Sequence, residues 1–185
     1  MENENIEAGA CELLDFTYRP KTRVREGRLV MLGLLIISAL LVIASVISPK
    51  YKGVISLFAV FALVGVIFVY TRYLAPQYAY AVMTSGEGEA LLVVTKNVGK
   101  SLSTLAMIRL YEITDVTPVL SEGDKEPLKG ERKYNFCPSM KPEQIWAVRS
   151  ADRYEKRLFL LEVNEQVAKR ISDYAKLAKE TEPDE

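Results

Sequence analysis

The residues that could carry out chemistry are few, and they do not form a catalytic set. The chain contains 24 Asp and Glu residues and two Cys residues, but no His. It therefore lacks the side chain that most often serves as a base near neutral pH or as a metal ligand. Cys137 could be a nucleophile, but no His is present to activate it, and a small, half-buried thiol is the simpler interpretation. Two Cys residues are also too few for a disulfide framework or a zinc site.

Two groups of carboxylates lie close together in the sequence. Glu87 and Glu89 flank a Gly in a predicted turn, and Glu112 and Asp115 are separated by two residues. Paired carboxylates can catalyse acid–base reactions when they are buried and coupled. Exposed carboxylates in turns are far commoner, so we expect these acids to be solvated.

The sequence Val98-Gly99-Lys100-Ser101 is similar to the end of a phosphate-binding loop. That motif requires another Gly five positions before the Gly-Lys pair, where this chain has Val94. It also requires a following helix whose backbone N–H groups point at the phosphate. A hairpin turn explains these residues better. We therefore predict no catalytic residue, no cofactor and no metal, and we expect that the protein is not an enzyme.

Two clusters of basic residues could contact anionic partners. The possible contacts with anionic lipid, just before the longest apolar stretch, are Arg19, Lys21, Arg23, Arg25 and Arg28. The possible contacts with a partner or a phosphate, around a predicted turn, are Arg149, Arg153, Lys156 and Arg157. A solvated hairpin tip balanced by Asp152 and Glu155 is the simpler interpretation of the second cluster. The formal net charge of zero argues against binding to nucleic acid through bulk electrostatics.

Two long stretches without a charge dominate the first half of the chain. Residues 29–49 and residues 53–71 contain no Asp, Glu, Lys or Arg. A helix rises about 1.5 Å per residue and the hydrocarbon core is about 30 Å thick, so about 20 apolar residues span a bilayer. Only residues 50–52 separate the two stretches. We therefore predict a two-helix transmembrane hairpin over residues 29–71, with a short loop at its tip.

The basic residues beside this hairpin predict its orientation. The five residues of the first cluster and Arg72 flank the two ends, whereas the tip carries only Lys50 and Lys52. Because cytoplasmic flanks carry the excess of Lys and Arg, we expect an integral protein of the cytoplasmic membrane with both termini in the cytoplasm. No ionisable side chain lies inside either span, which favours an anchor over a conducting or transporting role.

The segment 1–28 before the hairpin is predicted to be cytoplasmic, with disorder over its first ten residues. Apolar side chains alternate with acids over the sequence Cys11-Glu-Leu-Leu-Asp-Phe-Thr-Tyr18. This stretch is either a docking segment for another protein or a short ordered stretch lying on the domain or the membrane.

Residues 73–181 are predicted to form a cytoplasmic domain that is mostly β, followed by a tail at 182–185. The strand candidates are 77–84, 89–95, 101–110, 111–119, 132–137, 144–149 and 156–163. Trp146, the single Trp, is predicted to lie in the core, with an exposed anchor for a partner as the alternative. Asn164 is a good N-cap for a final helix. The apolar face of that helix is formed by Val167, Ile171, Tyr174 and Ala178.

Two features of this domain resemble a known family. One is the apolar pattern Ile108-x-Leu110-x-x-Ile113-x-x-Val116, and the other is a last strand, 156–163, that runs directly into the final helix. They are similar to the bacterial pleckstrin-homology-like domains that follow membrane hairpins, over residues 77–180. The resemblance implies a half-open barrel with a C-terminal capping helix, and a binding platform more than a reaction. Phosphoinositide-binding members use basic residues at the first hairpin, where this chain has the acidic turn 85–89, so headgroup recognition there is not expected.

These features predict a membrane-anchored binding or scaffold protein that presents a small pleckstrin-homology-like domain at the inner membrane face. Its partners would be the lipid bilayer and another protein. One alternative is an accessory subunit of a membrane transporter or secretion complex, in which the hairpin packs on partner helices. The other is a lipid-acting membrane enzyme, which the missing His and the missing nucleophile–base pair disfavour.

Overall fold

The computed structural model describes residues 12–20, 24–86 and 88–181. The predictions that fall on residues 1–11, Lys21, Arg23, Glu87 and the tail 182–185 therefore lie outside the described residues. The chain forms two compact units. One is a β domain, built from residues 12–20, 77–137 and 142–181, and the other contains a pair of helices from the segment up to Pro76 together with residues 138–141.

The second unit contains the two predicted apolar helices. Helix α1 spans Val24–Ile47, a 3₁₀ turn spans Pro49–Tyr51, and helix α2 spans Lys52–Val69 before a π turn at Tyr70–Leu74. The segments Glu26–Ile47 and Pro49–Leu74 are long and apolar enough to cross a membrane. At 1.5 Å per residue they extend about 33 and 39 Å. The helical pair predicted from the uncharged stretches is confirmed.

The first sheet of the β domain contains four antiparallel neighbours in the order β1-β2-β3-β4. Its strands are Glu12–Tyr18, Pro76–Thr84, Ala90–Val98 and Ser101–Arg109. Strand β1 pairs with β2, so that Tyr18 lies opposite Tyr80, although both helices lie between these strands in the sequence. The sequence analysis placed β1 outside the domain, and the structure makes it an edge strand of this sheet.

The second sheet has the order β5-β7-β8-β6. Its strands in chain order, β5 to β8, are Ile113–Pro118, Glu131–Asn135, Trp146–Ala151 and Lys156–Leu161. Strand β6 runs parallel to β8, whereas the other pairs are antiparallel. Strands β6 and β7 are consecutive in the chain but are not neighbours in the sheet, because β8 lies between them. Residues 136–145 therefore cross β8 to connect the two strands.

Helix α3, Glu165–Thr181, follows the last strand as predicted. The backbone N–H of Val167 donates to the side-chain oxygen Oδ1 of Asn164 at 2.8 Å, which is the expected N-cap bond. Val167 and Ile171 are buried in the main core, and Tyr174 and Ala178 pack against it. The predicted apolar face of the final helix is confirmed.

The main core lies between the inner faces of the two sheets and α3. Tyr80 is fully buried, and its hydroxyl donates to the backbone oxygen of Phe136 at 3.0 Å. Burial raises the pKa of Tyr80 well above its usual value. Tyr134, Phe136 and Phe159 stack with ring centroids 5.3 to 6.3 Å apart. This aromatic cluster joins the second sheet to the loop that follows β6.

One strand prediction began too early. The candidate 111–119 starts as a 3₁₀ turn at Leu110–Glu112, and β5 begins only at Ile113. Leu110 and Ile113 are both buried in the same core. Residues three apart point to opposite faces of a strand but to the same side of a 3₁₀ turn, so burying both side chains favours the turn. In the described residues the two sheets do not form a closed barrel.

Candidate functional site

The outer surface of the helical pair is its most unusual chemical feature. Most large apolar side chains of α1 and α2 are exposed, and few residues of either span are buried. No Asp, Glu, Lys or Arg lies within residues 29–49 or 53–71. An exposed apolar surface of this extent marks a site for membrane or protein contact, because soluble monomers rarely leave one open to water.

The two helices pack through small and polar residues that the sequence analysis did not single out. The Ser38 hydroxyl donates to the backbone oxygen of Ala59 in the facing helix at 3.2 Å. A Cβ atom added at Gly65 would lie 3.4 Å from the Cδ1 atom of Leu34. Small residues that allow close backbone approach, and hydroxyls that bond across helices, are typical of helix pairs in lipid. The sequence signal for these contacts is the set of small and polar residues scattered through the two apolar runs, among them Ser38, Ala59 and Gly65.

The predicted anionic-lipid cluster begins beside the end of β1 and continues into α1. Arg19 and Arg28 are described, and both are exposed. Arg25 lies in α1, whereas Lys21 and Arg23 fall outside the described residues. The two described side chains are open to an anionic surface.

The predicted partner or phosphate cluster is divided by ion pairs. Arg149 lies 3.6 Å from Glu131 and 3.8 Å from Asp115, measured between nitrogen and carboxylate oxygen. The Nε atom of Arg157 lies 2.8 Å from Glu155, which also pairs with Arg132 at 2.9 Å. Two of the four predicted basic residues therefore have acidic partners.

The other two members of this cluster lie at the β7–β8 hairpin. Arg153 and Lys156 are exposed there, beside the exposed ring of Tyr154. Asp152 accepts a hydrogen bond from the backbone of Arg153, and its own backbone N–H donates to Glu155. These two hydrogen bonds are typical of a solvated hairpin turn, and the charge balance of this turn stays a prediction.

A cluster around Arg109 was not predicted. Its guanidinium lies 3.1 Å from Glu89 and 3.6 Å from Glu112, and it donates to the Tyr111 hydroxyl at 3.0 Å. Burial, followed by the charge of Asp152, raises the pKa of Glu112 despite the nearby guanidinium groups. Arg109, the last residue of β4, therefore partly neutralises Glu89 at the acidic first turn.

Glu112 and Asp115 have separate partners, and Glu87 lies outside the described residues. Glu112 faces Arg109, whereas Asp115 pairs with Arg149 and accepts a hydrogen bond from Thr117. Strand register places Asp115 opposite Arg149, and a single sequence does not reveal register, whereas Arg109 and Glu112 are only three residues apart in the chain. Among the described residues, no three His, Cys, Asp or Glu side chains are grouped as a metal site requires.

The two ends of the first sheet differ in charge. At the end that we call the junction end, β1 finishes at Tyr18, β2 begins at Pro76, and the β3–β4 turn lies between Val98 and Ser101. At the opposite end, which we call the distal end, the Ser85 N–H donates to the Glu89 backbone oxygen. The exposed or half-buried cations of the junction end are Arg19, Lys96 and Lys100. The distal end carries Glu89 and its partner Arg109.

The β3–β4 connection is the predicted hairpin turn. Gly99 has φ of +62°, and Val98 pairs with Ser101 across the turn. A two-residue turn with positive φ at its first position requires Gly there, as in a type II′ hairpin. A strand, and not a helix, follows Lys100, so these residues lack the geometry of a phosphate-binding loop.

The remaining candidates lie in or near cores. The Cys137 side chain is buried, with its sulfur 3.7 Å from the backbone oxygen of Leu160, so it is less accessible than the predicted half-buried thiol. Trp146 is partly buried and packs against the main core, in agreement with its predicted place.

Comparisons with protein families, curated proteins and solved structures find no match for this chain. The surfaces that bear on function are therefore the apolar exterior of the helices and the charged ends of the β domain.

Proposed function

We propose that this chain is a membrane-anchored binding or scaffold protein. In this proposal α1 and α2 cross the cytoplasmic membrane as a hairpin, and both termini and the β domain lie in the cytoplasm. The observation that carries it is the exposed apolar exterior of two helices with long uncharged spans, which interrupt a folded β domain in the sequence. Exposing such a surface to water is unfavourable, whereas contact with the hydrocarbon core of a bilayer is favourable.

The connectivity of the β domain supports the hairpin topology. Strand β1 precedes α1 and strand β2 follows α2, yet the two strands pair in one sheet. A folded sheet cannot be divided by a bilayer, so the chain must leave the domain and return to it on one side of the membrane. The excess of Lys and Arg beside the outer ends of the helices favours the cytoplasm as that side.

The β domain is the candidate binding module. Two sheets that enclose a core, with a last strand leading directly into a closing helix, are compatible with the pleckstrin-homology-like resemblance. The parallel pairing of β6 with β8 and the contribution of β1 are features that the resemblance did not include. The β7–β8 hairpin carries exposed charged and aromatic side chains suited to a protein partner, namely Arg153, Tyr154 and Lys156.

Site-specific photo-crosslinking in intact cells tests this function against the accessory-subunit alternative. A photoreactive amino acid at Tyr154 reports on the domain, and one at Phe61 reports on the exposed exterior of α2. We expect a protein adduct of one discrete mass from position 154, and only lipid adducts from position 61. Protein adducts from position 61 alone would contradict the scaffold function and support a subunit that packs on partner helices.

A further inference from the structure

The β3–β4 hairpin tip exposes apolar side chains beside lysines. Val98 is exposed, and Leu102 is 70% exposed. Side chains alternate along a strand, and Leu102 lies opposite Asn97, so Val98 and Leu102 extend from opposite faces of the hairpin. Lys96 and Lys100 complete the tip. We call residues 96–102 the tip segment.

Strand register places the tip segment at the junction end of the first sheet. The Thr95 hydroxyl donates to the Ala79 backbone oxygen at 3.3 Å, which aligns the end of β3 with the beginning of β2. Strand β2 itself begins only two residues after the last turn of the α2 segment, at Leu74.

The charges of the first sheet favour an orientation in which this end meets an anionic surface. Arg19, Lys96 and Lys100 lie at the junction end, whereas the distal end carries the Glu89–Arg109 ion pair. The Arg109–Glu112 pair lies beside the β7–β8 hairpin, because Ile113, the residue after Glu112, pairs with Ser150 near the end of β7. The predicted phosphate cluster therefore lies at the end of the domain away from the tip segment.

We propose that the tip segment is a second membrane contact, in which Val98 and Leu102 enter the headgroup region of an anionic bilayer while Lys96 and Lys100 contact lipid phosphates. This inference rests on the proposed membrane anchor. A bilayer suits the tip better than a protein does, because two apolar side chains and two lysines are too small an area for a stable protein interface. Apolar side chains flanked by Lys are typical of segments that lie in the interface of anionic membranes.

The test uses the full chain in lipid vesicles, with a fluorescent label on a single engineered Cys in the C11S background. Cys137 is buried, so we expect it not to react under native labelling conditions. Leu102→Cys reports on the tip segment, and Leu128→Cys is a matched control, since Leu128 is 62% exposed and precedes β6 at the opposite end. Phe61→Cys reports on the anchor. A lipid with a quencher near its headgroup detects contact of position 102 with the bilayer, and a lipid with a quencher in the middle of its acyl chain detects contact of position 61.

In vesicles that contain phosphatidylglycerol, we expect quenching at positions 61 and 102 but not at 128. In pure phosphatidylcholine, quenching should persist at 61 and weaken at 102. Each Lys replaced by Ala should lower the equilibrium constant for tip contact about fivefold, and K96R/K100R should restore it. Quenching at 61 with none at 102 overturns the tip contact and leaves the anchor intact, whereas no quenching at 61 overturns the anchor itself.

Discussion

At the scale of single residues, Ile171 is the side chain through which α3 closes the β domain. It is 0% exposed and belongs to the same core as Leu110 and Ile113. Its place was predictable, because helical periodicity and the Asn164 cap are local signals. The ion pairs of Arg109 with Glu89 and of Arg149 with Asp115 were not predictable, because they join neighbouring strands whose register depends on the whole fold.

We predict that Ile171→Asp destabilises the β domain by about 3–5 kcal/mol, through a lost apolar contact and a buried charge. Leu177→Asp is the control, because Leu177 lies on the same helix but is 56% exposed. It should change the free energy of unfolding by less than about 0.5 kcal/mol. Trp146, the single Trp, reports domain unfolding by fluorescence during urea titration of the full chain in mild detergent. Equal effects of the two substitutions would contradict the role of α3 as the closing helix.

At the scale of elements, β1 is the part of the fold that the sequence analysis missed. Phe16 and Tyr18 pack against the main core, the Tyr18 ring lies 6.4 Å from that of Tyr80, and Arg170 of α3 lies over the Phe16 ring. Two transmembrane-length helices separate β1 from its partner strand. The apolar pattern of residues 12–18 is a local signal, and it predicted a segment separate from the domain. The pairing of β1 with β2 joins strands on either side of both helices and is a property of the folded sheet.

We predict that Phe16→Ala lowers the free energy of unfolding of the β domain by about 2 kcal/mol, because it removes a partly buried aromatic ring from the core. Thr17→Ala, at an exposed neighbour on the same strand, should change it by less than about 0.5 kcal/mol. Trp146 fluorescence in urea again provides the measurement. A neutral Phe16→Ala would show that β1 does not contribute to the stability of the domain.

At the scale of the whole molecule, the apolar helices were predictable, whereas the pairing of the strands in the β domain was not. Length and the absence of charge are sufficient to recognise the two helices. The mixed second sheet, with β6 parallel to β8, depends on long-range pairing that turn residues do not encode. In the proposed function the two helices form a membrane hairpin, and the turn between them lies on the opposite side of the bilayer from the β domain.

Cysteine accessibility in intact cells tests this claim most directly, with spheroplasts where a cell wall blocks the reagent. Cys137 cannot report sidedness because its thiol is buried, so the test uses Tyr51→Cys and Tyr154→Cys in the C11S background. Tyr51 is exposed at the tip of the helical pair, and Tyr154 is 92% exposed on the β domain. We expect a membrane-impermeant maleimide to label position 51 in sealed cells and position 154 only after lysis. Labelling of position 154 in sealed cells would contradict the orientation, and protection of both positions until lysis would contradict the membrane hairpin.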